Sequence, residues 1–551
     1  MISSADRAPT PLPAPDEREA ATGDMPPHEF RRYGHQVVEW IAAYFARLAD
    51  YPVLAQVAPG AIRQALPPPP PSRPEAMESI LADVERVLMV GITHWNAPGF
   101  MAYFGLTGSG PAILAEMMAA ALNVNAMLWR TSPAATELEQ VTLDWLRQML
   151  GLPQEFFGLL HDSSSGGSIL AALAAAREAI PDLHIRQQGL AGRPDLPRLR
   201  FYASQEAHSS VEKAAILLGL GQEGLRKIGV DGAFRMDVGE LERAIAEDLA
   251  AGLLPFAVVA TAGTTSTTSV DPLPQIANLC ERYGLWLHVD AAYGGCAAVV
   301  PQIRPLLSGW ERADSLSINP YKWLFTTLGG SVLFTRKPNM FKSAFSLVPD
   351  YLAAGNQEGV VNLMDYSPAL THRFLALKLW MVLRYFGQQG LAARIHEHIR
   401  LAHLLAGWVD ESADFERLAP TPFSTVCLRA HPAGMDDENI LNSLNEAILN
   451  RINAAGRFFL SSSRLHGKYT IRVAIGSLRT TEDEVRHLWH ELQQALAAQR
   501  DRPSPASPLA ASQAGASPSM NRDLAYAGAG RQPASSAGAD FSAGRGKEQA
   551  G

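Results

Sequence analysis

The segment LWLHVDAAYGG, residues 285–295, carries the main evidence for the fold class of this chain. Residues 285–289 are apolar apart from His288, a pattern typical of a strand inside a parallel sheet that is covered on both faces. The strand ends at Asp290, so this carboxylate is expected at the carboxyl edge of the sheet, where open α/β sheets bind ligands. A structural role as a turn or helix cap is the alternative for Asp290.

Similar apolar segments surround this one. PFAVVATAG (255–263) and GGSVLFT (329–335) also resemble buried strands, and VDPLPQIANLCERYG (270–284) between them has helical spacing. Strands that alternate with helices indicate a mostly parallel sheet with helices on both faces. We therefore predict a large α/β domain over residues 108–395.

The rest of the chain divides into four further segments. Residues 1–26 and the Ser/Ala/Gly/Pro-rich tail 499–551 have little to bury and are predicted to be disordered. Residues 396–498 are predicted to form a small C-terminal α+β domain. Residues 27–107 are predicted to form an N-terminal helical segment, in which apolar residues recur at helical spacing: Phe30, Tyr33, Val37, Ile41, Tyr44, Phe45 and Leu48.

Composition excludes several classes of function. Hydrophobic residues make up 47% of the 551 residues and charged residues 19%, as in a globular protein. The net charge of −8 argues against nucleic acid or an anionic membrane as the main partner. The three cysteines lie far apart, so no metal site or disulfide framework is expected, and a reducing, cytoplasmic location is predicted. No signal peptide or membrane-spanning run is evident.

One lysine stands out in the segment INPYKWLF, residues 318–325. Lys322 lies between Tyr321 and Trp323 at what reads as the end of a buried strand, where an unpaired ammonium group is costly. Its stem could lie along the two aromatic rings with the ammonium group in water. The alternative is a lysine whose pKa is lowered so that it attacks a carbonyl group.

Other strand ends carry polar groups that favour the second alternative. HDSSSGG (161–167) leads into a helix and offers free backbone N–H groups to a phosphate. His208 precedes another helix and has a ring that can stack on a flat ligand, while Thr264 and Thr265 follow a strand. A phosphate cradle, a buried anion, a stacking ring and an isolated lysine together describe a site for pyridoxal 5′-phosphate.

With these residues in place, the sequence resembles the aromatic-L-amino-acid decarboxylases, group II of the pyridoxal-phosphate-dependent decarboxylases. The resemblance covers residues 27–495, and its motifs occur in family order: FRRYGHQVVEWIAAY (30–44), THWNAP (93–98), SPAATELEQVTLDWL (132–146), AHSSVEKA (207–214), GTTSTTSVDPL (263–273), LWLHVDAAYGG (285–295) and NPYKWL (319–324). It implies a type I pyridoxal-phosphate-dependent transferase fold and a homodimer, in which the N-terminal helices embrace the partner.

The resemblance also implies roles for individual residues. Lys322 is the Schiff-base lysine, Asp290 pairs with the pyridine nitrogen, and His208 stacks on the cofactor ring, with Ala292 under its other face. Tyr351 matches the tyrosine of the family's mobile loop, which protonates the substrate carbon after CO2 leaves. The remaining cofactor positions are Ser164, Ser165, Thr265, Asn319 and Tyr321, and the substrate pocket is formed by Trp95, Tyr103, Phe104, Asn125 and Met127.

Several positions differ from the family pattern. Tyr321 replaces a usual histidine before the lysine, Gly105 and Leu106 replace a common Pro-Thr pair, and LTHRF (370–374) replaces LGRRF. The expected reaction is decarboxylation of tryptophan, tyrosine, phenylalanine or a hydroxylated relative. The alternatives are an aldehyde synthase that couples decarboxylation to oxidative deamination, and a decarboxylase of non-aromatic amino acids, as Asn125 suggests. A non-catalytic scaffold is disfavoured because Lys322 and Asp290 are both present.

Overall fold

The computed structural model describes residues 23–347 and 359–500 of the chain. Its central element is a seven-stranded sheet with the order β1-β7-β6-β5-β4-β2-β3. The strands are β1 Phe157–His161, β2 Leu199–Ser204, β3 Leu225–Ile228, β4 Leu254–Thr261, β5 Trp286–Asp290, β6 Ser315–Ile318 and β7 Ser331–Thr335. Strands β3, β2, β4, β5 and β6 pair in parallel, whereas β7 is antiparallel to both β6 and β1.

Both faces of this sheet are covered, which confirms the predicted α/β fold. On β4, Val258 and Val259 are both fully buried but belong to different hydrophobic cores. Adjacent strand residues point to opposite faces, so each face has its own helical layer. This two-sided burial explains why β4 and β5 are mostly apolar rather than alternating.

Fifteen α-helices surround the sheets within the described residues. They are α1 Pro27–Ala46, α2 Ala61–Ala65, α3 Met77–Asp83, α4 Gly110–Leu122, α5 Pro133–Leu150, α6 Ser165–Glu178, α7 Ile185–Gln188, α8 Ser210–Leu217, α9 Val238–Ala250, α10 Leu273–Tyr283, α11 Pro320–Trp323, α12 Pro338–Phe345, α13 Ala376–Asp410, α14 Glu438–Ala455 and α15 Glu482–Arg500. The backbone of α13 is broken at Gly387, where φ is 61°. The domain boundary predicted at residues 395/396 therefore falls inside α13.

The C-terminal part contains a second, antiparallel sheet with the order β10-β11-β9-β8. Its strands are β8 Phe415–Arg417, β9 Thr425–Ala430, β10 Ser461–Leu465 and β11 Lys468–Ala474. Helices α14 and α15 pack on this sheet around a core that includes Ile448, Val473 and Leu488. This is the strand and helix content expected of a small α+β region.

The predicted N-terminal helix is present as α1, but it buries little of its apolar surface. Tyr33 is its only buried residue, and the side chains of Phe30 and Val38 are exposed. Across residues 23–347 and 359–500, no helix has the length and hydropathy needed to cross a bilayer. Residues 1–22, 348–358 and 501–551 lie outside the described residues, and so do Tyr351, most of the predicted segment 1–26 and nearly all of the tail 499–551.

Candidate active site

The topology of the central sheet brings Asp290 and Lys322 to the same edge. Strands β5 and β6 are parallel, β5 ends at Asp290, and α11 follows β6 directly and carries Lys322. The amide of Asn319 donates a hydrogen bond to the carbonyl of Ala292 at 3.0 Å, which ties the two strand ends together. This is the edge at which α/β sheets bind ligands.

A cavity of about 400 Å³ opens at this edge, between the central sheet and strands β10 and β11. It is lined by Trp95, Tyr103, Phe104, Leu106, His208, Thr265, Ser266, Tyr321, Lys322, Leu328, Ser461, Ser462, Ser463 and Arg472. Another cavity, of about 450 Å³, lies at the amino ends of β4 and β5. Its charged side chains already pair with one another, Arg312 with Glu281 and Lys337 with Asp314, so the cavity at Lys322 is the better candidate for chemistry.

Lys322 lies in the wall of this cavity without a salt-bridge partner. Its Nζ is 5.2 Å from the ring centroid of Phe104, and no described residue forms an ion pair or hydrogen bond with it. Burial lowers the pKa of Lys322 below its usual range, although the charge of Asp290 acts in the opposite direction. A lowered pKa increases the fraction of neutral amine, which is the nucleophilic form.

Asp290 is a buried carboxylate without a cationic partner among the described residues. Its Oδ1 accepts hydrogen bonds from the Ala292 amide at 3.2 Å and from the Ser317 hydroxyl at 3.3 Å. The residue is only 4% exposed. Because an uncompensated buried charge is costly, this site favours a ligand that presents a cationic or protonated group to Asp290.

His208 is held in one tautomer by its own helix start. Its Nδ1 accepts the backbone N–H of Ser210 at 3.2 Å and lies 2.7 Å from the Ser210 hydroxyl, so in the neutral ring the proton is on Nε2. Partial burial lowers the pKa of His208; Asp290 raises it and Lys322 lowers it further. The neutral ring is therefore favoured, and its exposed face lines the cavity.

The loop after β4 places Thr265 in the cavity wall. The Thr264 and Thr267 hydroxyls are 2.9 Å apart, Thr267 is 2.8 Å from the Ser269 hydroxyl, and Ser269 donates to the carbonyl of Ala233 at 2.7 Å. These buried contacts fix the loop on both sides of Thr265. Most hydroxyl residues of the run 264–269 therefore stabilise the loop, whereas Thr265 lines the cavity.

The glycine-containing turn before α6 forms a tight cradle. A Cβ atom at Gly167 would lie 2.0 Å from the Ser163 Oγ, and one at Gly166 would lie 3.2 Å from the Ser210 Cβ. Ser164 is the N-cap residue, and its hydroxyl makes no capping hydrogen bond. The Gly167 N–H donates to the carbonyl of Ser164 at 2.9 Å, so the N–H groups of Ser165 and Gly166 are those at the start of α6 that suit an anion.

Asn319 and Tyr321 form a buried pair beside Lys322. The Asn319 Nδ2 donates to the Tyr321 hydroxyl at 2.9 Å, while the Asn319 Oδ1 is buried without a hydrogen-bond partner. Burial, followed by the charge of Asp290, raises the pKa of Tyr321 to about 12, so its hydroxyl stays protonated. Rotation of the amide by 180° would let Tyr321 donate to Asn319 and would direct an N–H group outward.

Together these residues fit pyridoxal phosphate. The cradle before α6 suits a phosphate, Asp290 suits a protonated pyridine nitrogen, and Lys322 offers an amine to the aldehyde. Ala292 is small and 5% exposed, and its amide orients the Asp290 carboxylate. Lys322 and Asp290, which lack ion-pair partners among the described residues, are thus matched by complementary groups of one ligand.

Three of the five predicted substrate-pocket residues line the same cavity. Trp95 stacks on Tyr103 with ring centroids 5.9 Å apart, and Phe104 lies next to Lys322. Tyr103 has a φ of 50°, a left-handed conformation that is uncommon for an aromatic residue and is often found at functional sites. These rings form an aromatic wall of the cavity, and the backbone N–H of Tyr103 donates to the Ser461 hydroxyl at 3.2 Å.

The structure does not bring Asn125 and Met127 to this cavity. The Asn125 Oδ1 accepts backbone N–H groups from Met127 at 3.2 Å and from His372 at 2.9 Å, so its polar group is used to shape a loop. Met127 packs with Leu128 and Met364 instead. The prediction that both residues line the pocket around Lys322 is therefore not met within one chain.

Several cavity residues were missed at the sequence level. Ser461, Ser463 and Arg472 come from β10 and β11, more than 130 residues after Lys322 in the chain. One signal was available: Arg472 interrupts the apolar segment YTIRVAIG (469–476) just as Lys322 interrupts its own segment. Only the folded structure shows that the two cations share a cavity.

Comparison with known proteins supports the fold class and the cofactor. The family model described as the pyridoxal-dependent decarboxylase conserved domain matches residues 59–431. The chain is similar to tyrosine decarboxylase 3 of Petroselinum crispum, with 40% identity over 85% of this chain and 92% of the relative. It is also similar to a phenylacetaldehyde synthase of a Rosa hybrid cultivar, with 37% identity over 86% of this chain and 94% of the relative.

A solved structure supports both fold and cofactor. The crystal structure of Oryza sativa TDC with PLP and tryptamine superimposes with a TM-score of 0.82 at 32% identity, and the match covers 86% of this chain and 99% of that one. The fold, the cavity and the family match agree on a carboxy-lyase that uses pyridoxal phosphate. The chain belongs to the pyridoxal-dependent decarboxylase family.

Proposed function

We propose that this protein decarboxylates aromatic L-amino acids and releases CO2 and the amine. The observation that carries the proposal is the shared cavity, in which Trp95, Tyr103 and Phe104 lie on the same wall as Lys322. An aromatic wall binds a flat side chain through buried area and ring contacts. Tryptophan, tyrosine, phenylalanine and their hydroxylated relatives are the proposed substrates.

Pyridoxal phosphate, when bound, supplies the electron sink that the reaction needs. In the proposed arrangement, Lys322 holds the cofactor covalently, and Asp290 keeps a proton on its ring nitrogen. Ser164, Ser165 and Asn319 hold the phosphate, with Tyr321 and Thr265 beside it. His208 and Ala292 enclose the ring from its two faces.

The final proton must reach the substrate α-carbon after CO2 has left. His208 is neutral with its proton on Nε2, and Tyr321 stays protonated, so both hydroxyl and imidazole hydrogen bonds are available inside the cavity. On the resemblance of the segment FSLVPDYLAAGN (345–356), we assign the proton transfer to Tyr351. The aromatic wall would exclude water during this step.

An aldehyde synthase is the second candidate. The similarity to a phenylacetaldehyde synthase supports it, since that relative is nearly as similar as the tyrosine decarboxylase. The two activities differ in whether the α-carbon takes up a proton or reacts with O2 after CO2 has left. His208 and Tyr351 are both present in this sequence, which favours protonation.

One experiment separates these functions. Purified protein with added cofactor is incubated with tryptophan, tyrosine, phenylalanine, 3,4-dihydroxyphenylalanine and glutamate, and CO2, amine, aldehyde and ammonia are measured together. Amine and CO2 in equal amounts from an aromatic substrate support the proposal. Aldehyde and ammonia as the main products would instead identify an aldehyde synthase. Turnover of glutamate alone would overturn the aromatic assignment.

We further propose that the protein works as a homodimer. Helix α4 carries four exposed apolar side chains, Leu114, Met117, Met118 and Leu122, between 42% and 57% exposed. A second copy would cover them together with the exposed side of α1. Light scattering should give a dimer mass that Met118→Glu reduces, whereas Leu249→Glu on α9, a similarly exposed position, should leave the mass unchanged.

The proposed cellular location follows from the cysteines. Cys280, Cys296 and Cys427 are all buried and unpaired, as expected of a protein that folds in the reducing cytoplasm.

A further inference from the structure

Arg472 is an unusual residue in the cavity wall because its charge is buried without a counter-ion. The residue is 3% exposed, and no carboxylate among residues 23–347 and 359–500 pairs with it. The ionisable groups that interact electrostatically with Arg472 to raise its pKa are the Cys427 thiol and the Tyr293 phenol. Burial raises the pKa of both groups, that of Cys427 to about 11, so both stay neutral. The cavity therefore holds an unneutralised guanidinium group.

The guanidinium group joins two separate parts of the cavity wall. Its Nε donates to the carbonyl of Ser266 at 2.9 Å, and its Nη1 donates to the carbonyl of Tyr103. Tyr103 belongs to the aromatic wall, and Ser266 follows Thr265 in the loop after β4. A rigid fork that bonds both carbonyls fixes these segments relative to each other.

The same group also lies against the ring that Lys322 contacts. The Arg472 Cζ is 4.6 Å from the ring centroid of Phe104, and the Lys322 Nζ is 5.2 Å from the same centroid. The two cations are therefore within about 10 Å of each other. The ring of Phe104 stacks on that of Tyr293 with centroids 3.9 Å apart, and the Tyr293 ring stacks on that of Trp323 with centroids 4.5 Å apart. These contacts hold the Phe104 ring in place.

We propose that Arg472 is a positioning residue of this site: it fixes Tyr103, Ser266 and Phe104 and places an uncompensated positive charge beside Lys322. The proposal rests on the proposed role of Lys322 as the lysine that holds the cofactor. It assigns Arg472 no contact with the substrate. Its Nη2 is buried and has no hydrogen-bond partner among the described residues.

The charge has a consequence for the nitrogen of Lys322. A nearby cation disfavours the protonated form of that nitrogen, which lowers its pKa. Because the two cations are within about 10 Å of each other, their repulsion lowers the pKa of this nitrogen. Removal of the charge should raise the pKa, and replacement of arginine by lysine should keep it low.

The test uses the holoenzyme and three variants, Arg472→Lys, Arg472→Gln and Arg472→Met. The visible absorbance of the bound cofactor is titrated with pH, because this spectrum reports protonation of the nitrogen that Lys322 contributes. We expect the spectroscopic pKa to rise in the glutamine and methionine variants and to stay near the wild-type value in the lysine variant. All three variants should lose kcat because the fork to Tyr103 and Ser266 is gone.

A matched control is available in the neighbouring strand. Arg429 on β9 is as buried as Arg472 but pairs with Glu416 and Glu438, away from the cavity. Arg429→Met should leave the spectroscopic pKa unchanged even if it lowers stability. An equal pKa change in this control, or no change in Arg472→Gln, would overturn the proposal. A large rise in KM with an unchanged spectrum would do so as well, since it would indicate direct binding of the substrate carboxylate.

The outcomes also separate this proposal from the assignment of Lys322. Borohydride reduction followed by peptide mapping locates the lysine that holds the cofactor. A label on another lysine would refute the proposed site itself. A label on Lys322 with a spectrum insensitive to Arg472 would refute only the role of Arg472. If Arg472→Met does not fold, the comparison of Arg472→Gln with Arg472→Lys still decides the question.

Discussion

Trp323, the residue that follows Lys322, donates its indole N–H to the Nδ1 of His398 at 3.0 Å. The Nε2 of the same histidine lies 3.1 Å from the carbonyl of Ser477, so a neutral ring with its proton on Nε2 satisfies both contacts. Burial lowers the pKa of His398 to about 4, which keeps the ring neutral. The backbone at Lys322 is thereby anchored to the C-terminal part of the chain.

Trp323→Phe should lower stability by about 1–3 kcal/mol, because it leaves the buried Nδ1 of His398 without a donor. The urea midpoint at fixed cofactor concentration measures this effect. His398→Gln provides the comparison, since its amide can accept from Trp323 and donate to Ser477, and we expect a smaller loss. Equal stability of Trp323→Phe and the wild type would show that the hydrogen bond does not anchor the segment.

Asp290→Asn should lose most turnover while keeping the fold. Asparagine can still accept the amide of Ala292, but it no longer offers a negative charge to the ring nitrogen of the cofactor. Loss of a preorganised electrostatic group typically reduces kcat by on the order of 10²–10³. Ser317→Ala removes only a neighbouring hydroxyl, and its kcat should stay within a few-fold of the wild type. Near-normal turnover of Asp290→Asn would assign Asp290 a structural role alone.

The hydrophobic patterns allowed much of the fold to be predicted from sequence. The runs around Val258 and Val289 indicated buried strands, and the polar residues after them were expected at one edge. Asp290 lies at that edge, and Lys322, His208 and Thr265 line the cavity. The direction of β7 was not predictable, because an apolar run reads the same for a parallel and an antiparallel strand.

The C-terminal contribution to the site could not be predicted in the same way. Arg472 and Ser463 reach the cavity only because β10 and β11 pack against the edge of the central sheet, and no local pattern records such a long-range contact. The local role of Asn125 was not predictable either. Family resemblance suggested a pocket residue; within one chain, Asn125 accepts the amides of Met127 and His372 and does not line the cavity at Lys322.

The buried pair of His372 and Glu139 should make stability depend on pH. The His372 Nε2 is 2.6 Å from the Glu139 Oε2. Burial alone would lower the pKa of His372, but the charge and hydrogen bond of Glu139, with a smaller contribution from Asp162, raise it above 6.5. A raised histidine pKa in the folded state means that the pair stabilises fully below pH 6.5 and that its contribution is lost as the pH rises through the raised value.

Glu139→Gln tests this dependence. Glutamine can still accept the amide of Leu160, which donates to Glu139 at 3.0 Å in the wild type, but it cannot pair with charged His372. We expect a loss of about 3–5 kcal/mol at pH 6 and a clearly smaller loss at pH 9. Urea unfolding at several pH values measures the difference between the two proteins. A difference that does not change with pH would mean that His372 is neutral throughout.

The last prediction concerns Tyr351, whose position lies outside the described residues and whose role rests on resemblance and chemistry. Once CO2 has left, the α-carbon either takes up a proton, which gives the amine, or reacts with O2, which gives aldehyde and ammonia. Phenylalanine at this position keeps the aromatic ring but lacks the phenolic O–H group that would supply the proton. Tyr351→Phe should therefore still bind the cofactor and consume substrate, while product shifts from amine towards aldehyde and O2 uptake appears.

Tyr385→Phe is the matched control, because Tyr385 is 72% exposed on α13 and should not affect the product. Product ratios from both variants are compared by chromatography under air and under nitrogen. Under nitrogen, Tyr351→Phe should form the amine more slowly and should not form aldehyde, because O2 is absent. Amine formation at the wild-type rate in Tyr351→Phe would assign the proton transfer to another group, and the protonated Tyr321 hydroxyl and the Nε2 of His208, both in the cavity wall, would be the next residues to replace.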